Sequence, residues 1–459
     1  MIKLPEPRAN STTSLEVPDA LDLRALLAIL LGVALGSLDT AIANTALPAI
    51  AADLHASPAA SIWVINAYQL AIVATLLPFA ALGDLIGPRR VFLGGLAFFT
   101  CASLACAFAN TLPTLAAARA LQGIGASGVM SVNIALIRLI FPATRLGRGV
   151  GLNALVVGVS FALGPTIASL VLSVAAWPWL FAINVPLGLI ALAFALPALP
   201  HTPRLDHHFD WITAVLTALT FAALVLALGA TAQREALSTV LFALGLAGAA
   251  ALLLLRRQAG HPAPMLPVDL LRRPLFALST ITSMASFAAQ GLAFVSLPFF
   301  FEEVLHRNPV ETGFLMTPWP IVVALAAPIA GRLSDHYPPG LLGGIGLIIL
   351  SAGLLFLALL PANPTAPGIV LCMVVCGTGF GLFQAPNLKA LMSSAPPERS
   401  GGASGVIAMA RLLGQTTGAA LVALCFGLIG ARGPVAALAL GAAFAGLASL
   451  ASFARLWAK

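Results

Sequence analysis

In "GSLDTAIANTALPAI" (residues 36–50) a carboxylate, Asp39, stands about a dozen residues into an apolar run that begins near Leu26. Two guanidinium groups share its situation, because Arg119 and Arg411 also fall inside apolar stretches rather than in connecting loops. An acid at the centre of a bilayer-spanning helix costs about 2.5 to 3.5 kcal/mol on insertion scales, so a chain either avoids one or uses it. Desolvation raises a carboxylate's proton affinity and a neighbouring guanidinium lowers it. An acid and an arginine at depth therefore form a group whose charge and partner change together, the element needed for a proton-driven switch. Asp39 is read here as a proton carrier, with a structural hydrogen bond between helices as the alternative. Arg119 is read as its counterpart in that exchange, or as a plain counter-charge. Arg411 stands four residues before Gln415, and Arg119 three before Gln122, so each pair shares a helix face. For Arg411 an anchoring role and a cargo contact are both open.

These charges need a membrane around them, and the composition supplies it. Of 459 residues 60% are hydrophobic and 8% charged, with a mean hydropathy of +1.01, too little charge to coat a soluble domain. The opening "MIKLPEPRANSTTSLEVPDALDLR" is polar, without the basic and apolar regions of a signal peptide, and reads as a retained tail. Cys101, Cys106, Cys372, Cys376 and Cys425 all lie in apolar runs and read as packing residues, not as disulfides or zinc ligands.

A hydrocarbon core of about 30 Å takes about 20 apolar residues to cross. Runs of that length fall at 25–47, 60–82, 91–109, 112–135, 149–172, 178–199, 211–230, 236–255, 275–300, 312–331, 341–361, 367–391, 404–429 and 433–454, fourteen in all. An even number puts both termini on one side. Loops on the other side hold only Arg234, Arg307 and Arg432, whereas the terminal side holds Lys3, Arg8, Arg89, Arg90, Arg145, Arg272, Arg273, Arg455 and more. By the positive-inside rule both ends are cytoplasmic and the chain sits in the cell membrane. The net charge of +7 is then a topology signal with no call for nucleic acid.

The array is built twice. "ALGDLIGPRRVFLGG" after span two and "GRLSDHYPPGLLGG" after span ten match, and "RLGRGVGLNALVVGVSFALG" aligns without a gap on "RSGGASGVIAMARLLGQTTG". That organisation implies a tail at 1–24, a six-helix bundle at 25–200, an inserted hairpin at 201–256, a cytoplasmic linker with an amphipathic stretch at 257–274, and a second bundle at 275–455. The short loops suggest an inner gate at Asp84, Gly87, Arg89, Arg90 and Asp335, or ordinary loop chemistry. Ser160, Gly164, Pro165 and Ala168 form a small-residue stripe for close helix packing. Polar and aromatic residues on inner helices are the cargo candidates: Asn66, Tyr68, Gln69, Asn153, Gln290, Phe294, Trp319, Phe380, Gln384 and Asn387, with Arg411 and Gln415; for each, a contact that glues helices together is an equal alternative. His207 and His208, beside Asp206 and Asp210, read as solvated surface rather than a metal site.

At these motifs the sequence resembles the major facilitator superfamily, and its fourteen-helix drug:proton antiporter branch. "LDTAIANTALP" resembles that branch's first-helix motif LDxTIVNVALP, and "ALGDLIGPRR" resembles the loop motif GxLxDRxGRR. "RALQGIGAS" resembles RxxQGxGA, "GPTIAS" the fifth-helix GPxxGG, and "WPWLFAINVPLG" the sixth-helix WRWxFxINxPxG. Departures include Ala80, Leu85 and Pro88 in the loop motif, and Ala168 and Ser169 for the closing glycines of the fifth-helix motif. The resemblance implies an all-α membrane fold of two six-helix bundles plus an inserted hairpin. It also implies a drug efflux antiporter working by alternating access, with the proton as coupling ion.

No cofactor or metal is expected. No lysine follows a glycine, so there is no P-loop and no ATP chemistry. Titratable side chains are dispersed among loops, which argues against an enzyme. The expected partners are protons, membrane lipid and an amphipathic small molecule, handled by a monomer. Exchanging one proton for one monocation gains nothing from the membrane voltage, so the scarcity of intramembrane acids leans towards neutral, zwitterionic or anionic cargo. A lipid or endogenous metabolite exporter of the same mechanism, or a non-transporting scaffold or receptor, are the alternatives.

Overall fold

Lipid offers the backbone no hydrogen-bond partners, so a chain this apolar satisfies its peptide groups within helices. The structure, a computed structural model, describes residues 23–142, 145–200, 210–232, 236–258, 268–361, 363–394 and 400–457, and among them there is no strand. Among the described residues fourteen long helices carry the fold. In the first half these are α1 (Leu23–Thr45), α2 (Trp63–Ile86), α3 (Pro88–Ala107), α4 (Leu112–Ile140), α5 (Leu146–Val174) and α6 (Asn184–Ala198). Then come α7 (Trp211–Ala232) and α8 (Leu237–Gln258), followed by α9 (Pro274–Phe299), α10 (Pro318–Leu333), α11 (Pro339–Ala358), α12 (Ala366–Ser394), α13 (Ser400–Ile429) and α14 (Gly433–Ala454).

Boundaries depart from the hydropathy reading where caps and prolines decide. Span six divides into a short helix, Pro178–Ala182, and α6; span ten begins earlier, at Pro309–Met316, and restarts at Pro318. Asn308 caps the first of these by accepting from Glu311 N, and Thr111 opens α4 with a reciprocal capping box to Thr114. Gly87, at φ 95, makes the turn between α2 and α3, a conformation side chains disfavour, and Pro88 then starts α3. Residues 1–22 of the tail and 259–267 of the linker lie outside the described residues; a short helix, Val268–Leu271, is seen near the linker's end.

The two halves pair their helices in the same way. α1 packs on α5 and α6, α4 on α2 and α3, and α3 on α6; correspondingly α9 packs on α13 and α14, α12 on α10 and α11, and α11 on α14. The inserted α7 packs on α8 and lies along the seam of α2 and α13. The fold is two six-helix bundles with an added pair.

Between the halves α1 meets α9, α2 meets α13, and α5 meets both α10 and the Pro309–Met316 helix. Away from the termini this seam is sealed. Ile42 and Ala43 of α1, Leu292 and Val295 of α9, and Ala419 and Val422 of α13 share one buried cluster there. Ser169 Oγ donates to Pro309 O at 2.9 Å, and the hydroxyls of Thr166 and Thr317 lie 2.7 Å apart. Towards the termini the facing stripes of α5 and α10 open: Gly151 and Gly158 lie on the stripe of Pro165 and Gly331 on that of Thr317, and a Cβ placed on any of the three would meet nothing within 4 Å. α2 and α13 stay in touch there, Leu77 Cδ2 lying 3.8 Å from a Cβ on Gly405.

Candidate functional site

Asp39 is buried inside the first bundle, where three donors converge on its carboxylate. Arg119 Nη1 on α4 donates to Oδ2 at 2.5 Å, while Gln122 Nε2 on α4 and Asn184 Nδ2 on α6 each donate to Oδ1 at 2.8 Å. Arg119 is held in turn: Nη1 donates to Gln122 Oε1 at 2.5 Å and Nε to Val64 O on α2 at 3.1 Å. Its guanidinium carbon stands 4.1 Å from the centroid of Tyr68 and 5.4 Å from that of Phe181, so two aromatic faces complete the cage. Gln122 Nε2 also donates to Ser103 Oγ on α3 at 2.8 Å. One carboxylate thus ties α1 to α4 and α6, with α2 and α3 joined through its partners. An ion pair taken this far from water is favourable only with such added hydrogen bonds, and of the pair's buried polar atoms Arg119 Nη2 is left without a partner.

Several cargo candidates turn out to serve other helices. Tyr68 lies on Arg119 and donates to Gly36 O at 3.3 Å. Asn133 Nδ2 donates to Asn153 Oδ1 at 3.3 Å, and Asn66 and Gln69 are buried with their carbonyl oxygens unbonded. Asn387 is taken up by Arg455: Nη1 donates to Asn387 Oδ1 at 2.7 Å and to Ser279 Oγ at 3.2 Å, and Nη2 bonds Ser452 Oγ. Arg455, read in the sequence as a charge at the chain's tail, is 5% exposed. Burial pulls its pKa down to about 10.

The second bundle presents an aromatic wall. Phe294 packs edge-on to Trp319 at 5.1 Å and to Phe161 of α5 at 5.3 Å, and Phe380 meets Phe287 at 5.4 Å and Phe383 at 5.9 Å. Trp319 is fully buried with no acceptor for Nε1. Gln415 Nε2 donates to Gln290 Oε1 at 3.1 Å, joining α13 to α9. Gln384 is half-buried on α12.

The loop residues form contacts within each half. Arg89 Nη2 donates to Leu196 O at 2.6 Å, linking α3 to α6, and Arg90 is exposed. Asp335 pairs with Lys389 Nζ at 2.6 Å, which holds its carboxyl below the usual range; Lys389 also donates to Ser334 O. Asp84 is exposed at the end of α2. Of the stripe, Ser160, Pro165 and Ala168 are buried, and Gly164 rests against Ala41, where a Cβ would collide. Among the described residues no group of three His, Cys, Asp or Glu is placed to hold a metal; His207 and His208 lie outside them. Away from the termini a cleft of about 580 Å³ lies between the Ser57 to Ala60 turn, Glu303 and Pro434, and none of the candidates lines it.

The family model of the Major Facilitator Superfamily matches residues 29–419. The chain belongs to that superfamily. It is a multi-pass membrane transporter. It is 51% identical to "Uncharacterized transporter YebQ" of Escherichia coli, over 94% of this chain and 95% of that one. It is 32% identical to "Riboflavin transporter RibZ" of Clostridioides difficile over 87% of each, and 31% identical to the "Tetracenomycin C resistance and export protein" of Streptomyces glaucescens over 86% of this chain and 74% of the other. A crystal structure of a POT family transporter in complex with a thioalcohol-conjugated peptide superposes with a TM-score of 0.72 at 14% identity, covering 93% of this chain and 95% of the other, a likeness of fold.

Sequence reasoning missed four members of these transporter networks. Ser103 and Cys106, whose thiol donates to Gln122 Oε1 at 3.5 Å, are small residues in an apolar span and gave no signal. Asn184 stood in the quoted "INVPLG" and Lys389 near the end of span twelve; both were visible as polar residues at depth or at a helix end.

Proposed function

We propose that the chain is a proton-coupled secondary transporter that exports amphipathic organic compounds by alternating access across the cell membrane. The observation that carries this reading is Asp39, an intramembrane carboxylate whose three donors come from α4 and α6. Protonating it removes the charge that holds Arg119, so proton loading and the fit of α1 against α4 and α6 become one variable. The bias of basic residues puts the termini in the cytoplasm, so the parting of α5 and α10 is an inward-facing opening. One proton entering down about 100 mV releases about 2.3 kcal/mol, enough for roughly a 40-fold gradient of neutral cargo. Export of an organic compound by the tetracenomycin C relative supports the direction and the cargo class. The riboflavin transporter among the relatives keeps an endogenous metabolite as a second cargo reading. The test is an everted-vesicle assay under an imposed pH difference. Asp39→Asn should abolish uphill cargo movement while downhill exchange persists; uphill movement at the normal rate in that variant would end the proposal.

A further inference from the structure

Arg411 is the other deep cation, and its surroundings differ from those of Arg119. Among the described residues it makes no ion pair and no hydrogen bond, and its Nε is shut away from solvent with no acceptor. An arginine at membrane depth ordinarily pairs with an acid or with backbone carbonyls. Arg411 has neither, and its guanidinium, with five N–H donors, stays charged.

Its position follows from the helix. Gln415 lies four residues on, and Ala419 and Val422 lie eight and eleven on, all on the same face at 3.6 residues per turn. Ala419 and Val422 are packed with Ile42 of α1 and Leu292 of α9 in the seal between the bundles. Arg411 therefore occupies the centre-facing stripe of α13, two to three turns nearer the termini than that seal, on the side where α5 and α10 part. Beside it Gln415 donates to Gln290, which leaves the Gln290 amide free to donate. Gln290 shares one face of α9 with Phe287 and Phe294, three and four residues away, and Phe287 meets Phe380 edge-on. A lone cation on α13 and a spare amide on the facing α9 thus stand one helical turn apart along the Gln415–Gln290 contact, with Phe287 packed beside Gly414, and among the described residues no carboxylate pairs with Arg411.

We propose that Arg411 is the anion-binding group of the cargo site, and that the cargo is an amphipathic organic anion carrying an aromatic ring. This names the substrate class within the transport reading and rests on it. The cargo's anionic group receives the guanidinium N–H donors and the Gln290 amide, and its ring lies beside Phe287.

The experiment is equilibrium binding to the purified full-length protein in detergent at fixed pH with no gradient, so it reads recognition independently of proton coupling. The probes are 2-naphthoate, naphthalene-2-sulfonate and 2-naphthyl phosphate, each beside its neutral amide or methyl ester. At least one anion should bind ten-fold or more tightly than its neutral twin. Arg411→Gln should erase that preference and leave the neutral affinities within about two-fold, while Arg411→Lys keeps part of it. Arg411→Gln should also melt no lower than the parent, because it removes an uncompensated charge; a structural anchor would give a lower melting temperature. Equal affinity for every anion and its twin, no saturable binding by any anion, or an anion preference that survives in Arg411→Gln each overturns the proposal. Uphill transport that persists at the normal rate in Asp39→Asn, with the anion preference intact, would count against proton-driven transport alone.

Discussion

Nη1 of Arg119 sits 2.5 Å from Oδ2 of Asp39, and solvent reaches neither side chain. The two residues are eighty positions apart in sequence, on α1 and α4, yet each is the other's principal neutraliser. Removing a single member of such a pair leaves a buried charge without compensation, typically at a cost of about 3 to 5 kcal/mol.

The pair should therefore behave as a unit in stability measurements. Asp39→Asn and Arg119→Gln are each expected to lower the melting temperature in detergent, and the double variant to recover much of the loss. A double-mutant cycle should give a coupling energy above about 1 kcal/mol. Additive losses would mean that the two side chains are held by their other neighbours rather than by each other.

How much of this was legible beforehand depended on the kind of signal. Fourteen crossings follow from apolar run length because lipid leaves the backbone no alternative to helix. Asp39 and Arg119 stood out because charge at depth is costly, and their meeting follows from both being there. Asn184 and Ser103 were hidden, since small polar residues in apolar spans carry little cost and so little signal. Arg455 misled for a different reason: a basic residue just past a span looks topogenic, and only the tertiary packing of α14 against α9 and α11 shows it turned inward onto Asn387. For Tyr68 both a cargo contact and a helix contact were open, because its sequence position could not say which face of α2 would lie on Arg119.

Asn387 is consequently expected to matter for the fold rather than for the cargo. Asn387→Ala takes from Arg455 its acceptor at 2.7 Å and leaves Ser279 Oγ at 3.2 Å on the same nitrogen. Losing a hydrogen bond to a buried charge costs about 1.5 to 3 kcal/mol. The variant should melt several degrees lower and bind cargo with unchanged affinity. A large affinity loss without a melting shift would return Asn387 to the cargo site.

Gly164 should tolerate no side chain as long as Ala41 faces it. A Cβ there collides with the Ala41 Cβ and approaches its backbone carbonyl carbon to 3.2 Å, so α5 would have to lift from α1. Gly164→Ala is expected to cost about 1 to 3 kcal/mol by overpacking. Ala41→Gly in the same chain should restore most of it, measured as recovery of thermal stability. An unaffected Gly164→Ala protein would mean that the two helices are not in close contact.

The inserted hairpin carries a pH-dependent clasp. Partial burial of Asp210 pulls its pKa upward, but hydrogen bonds from Arg257 and Thr213 outweigh this and bring it down to about 2. A carboxyl depressed in the folded state contributes fully above its unfolded pKa of about 3.9, and the contribution disappears as pH falls through the folded value. With Arg257 43% exposed, screening reduces the contribution to about 1 kcal/mol. Melting curves of the parent and Asp210→Asn should differ by that much at pH 7 and converge as pH drops from 4 towards 2. A difference that grows on acidification would reverse the assignment.

Thr166 on α5 and Thr317 beside α10 lie on opposite bundles, with hydroxyls 2.7 Å apart on the sealed side of the molecule. Alternating access requires this contact to open in the outward-facing state, because α5 and α10 are already apart at the other end. A Thr166→Cys/Thr317→Cys chain, with the five native cysteines replaced, should form a cross-link on oxidation and stop transport, with reductant restoring it. The cross-linked protein should still bind cargo from the terminal side, since the parting of α5 and α10 there is untouched. In the proposed scheme a proton on Asp39 shifts the balance between the two states, so cross-linking yield should change with pH in the parent and become pH-independent in Asp39→Asn. Continued transport by the fully cross-linked chain would mean that the bundles do not rock about this contact.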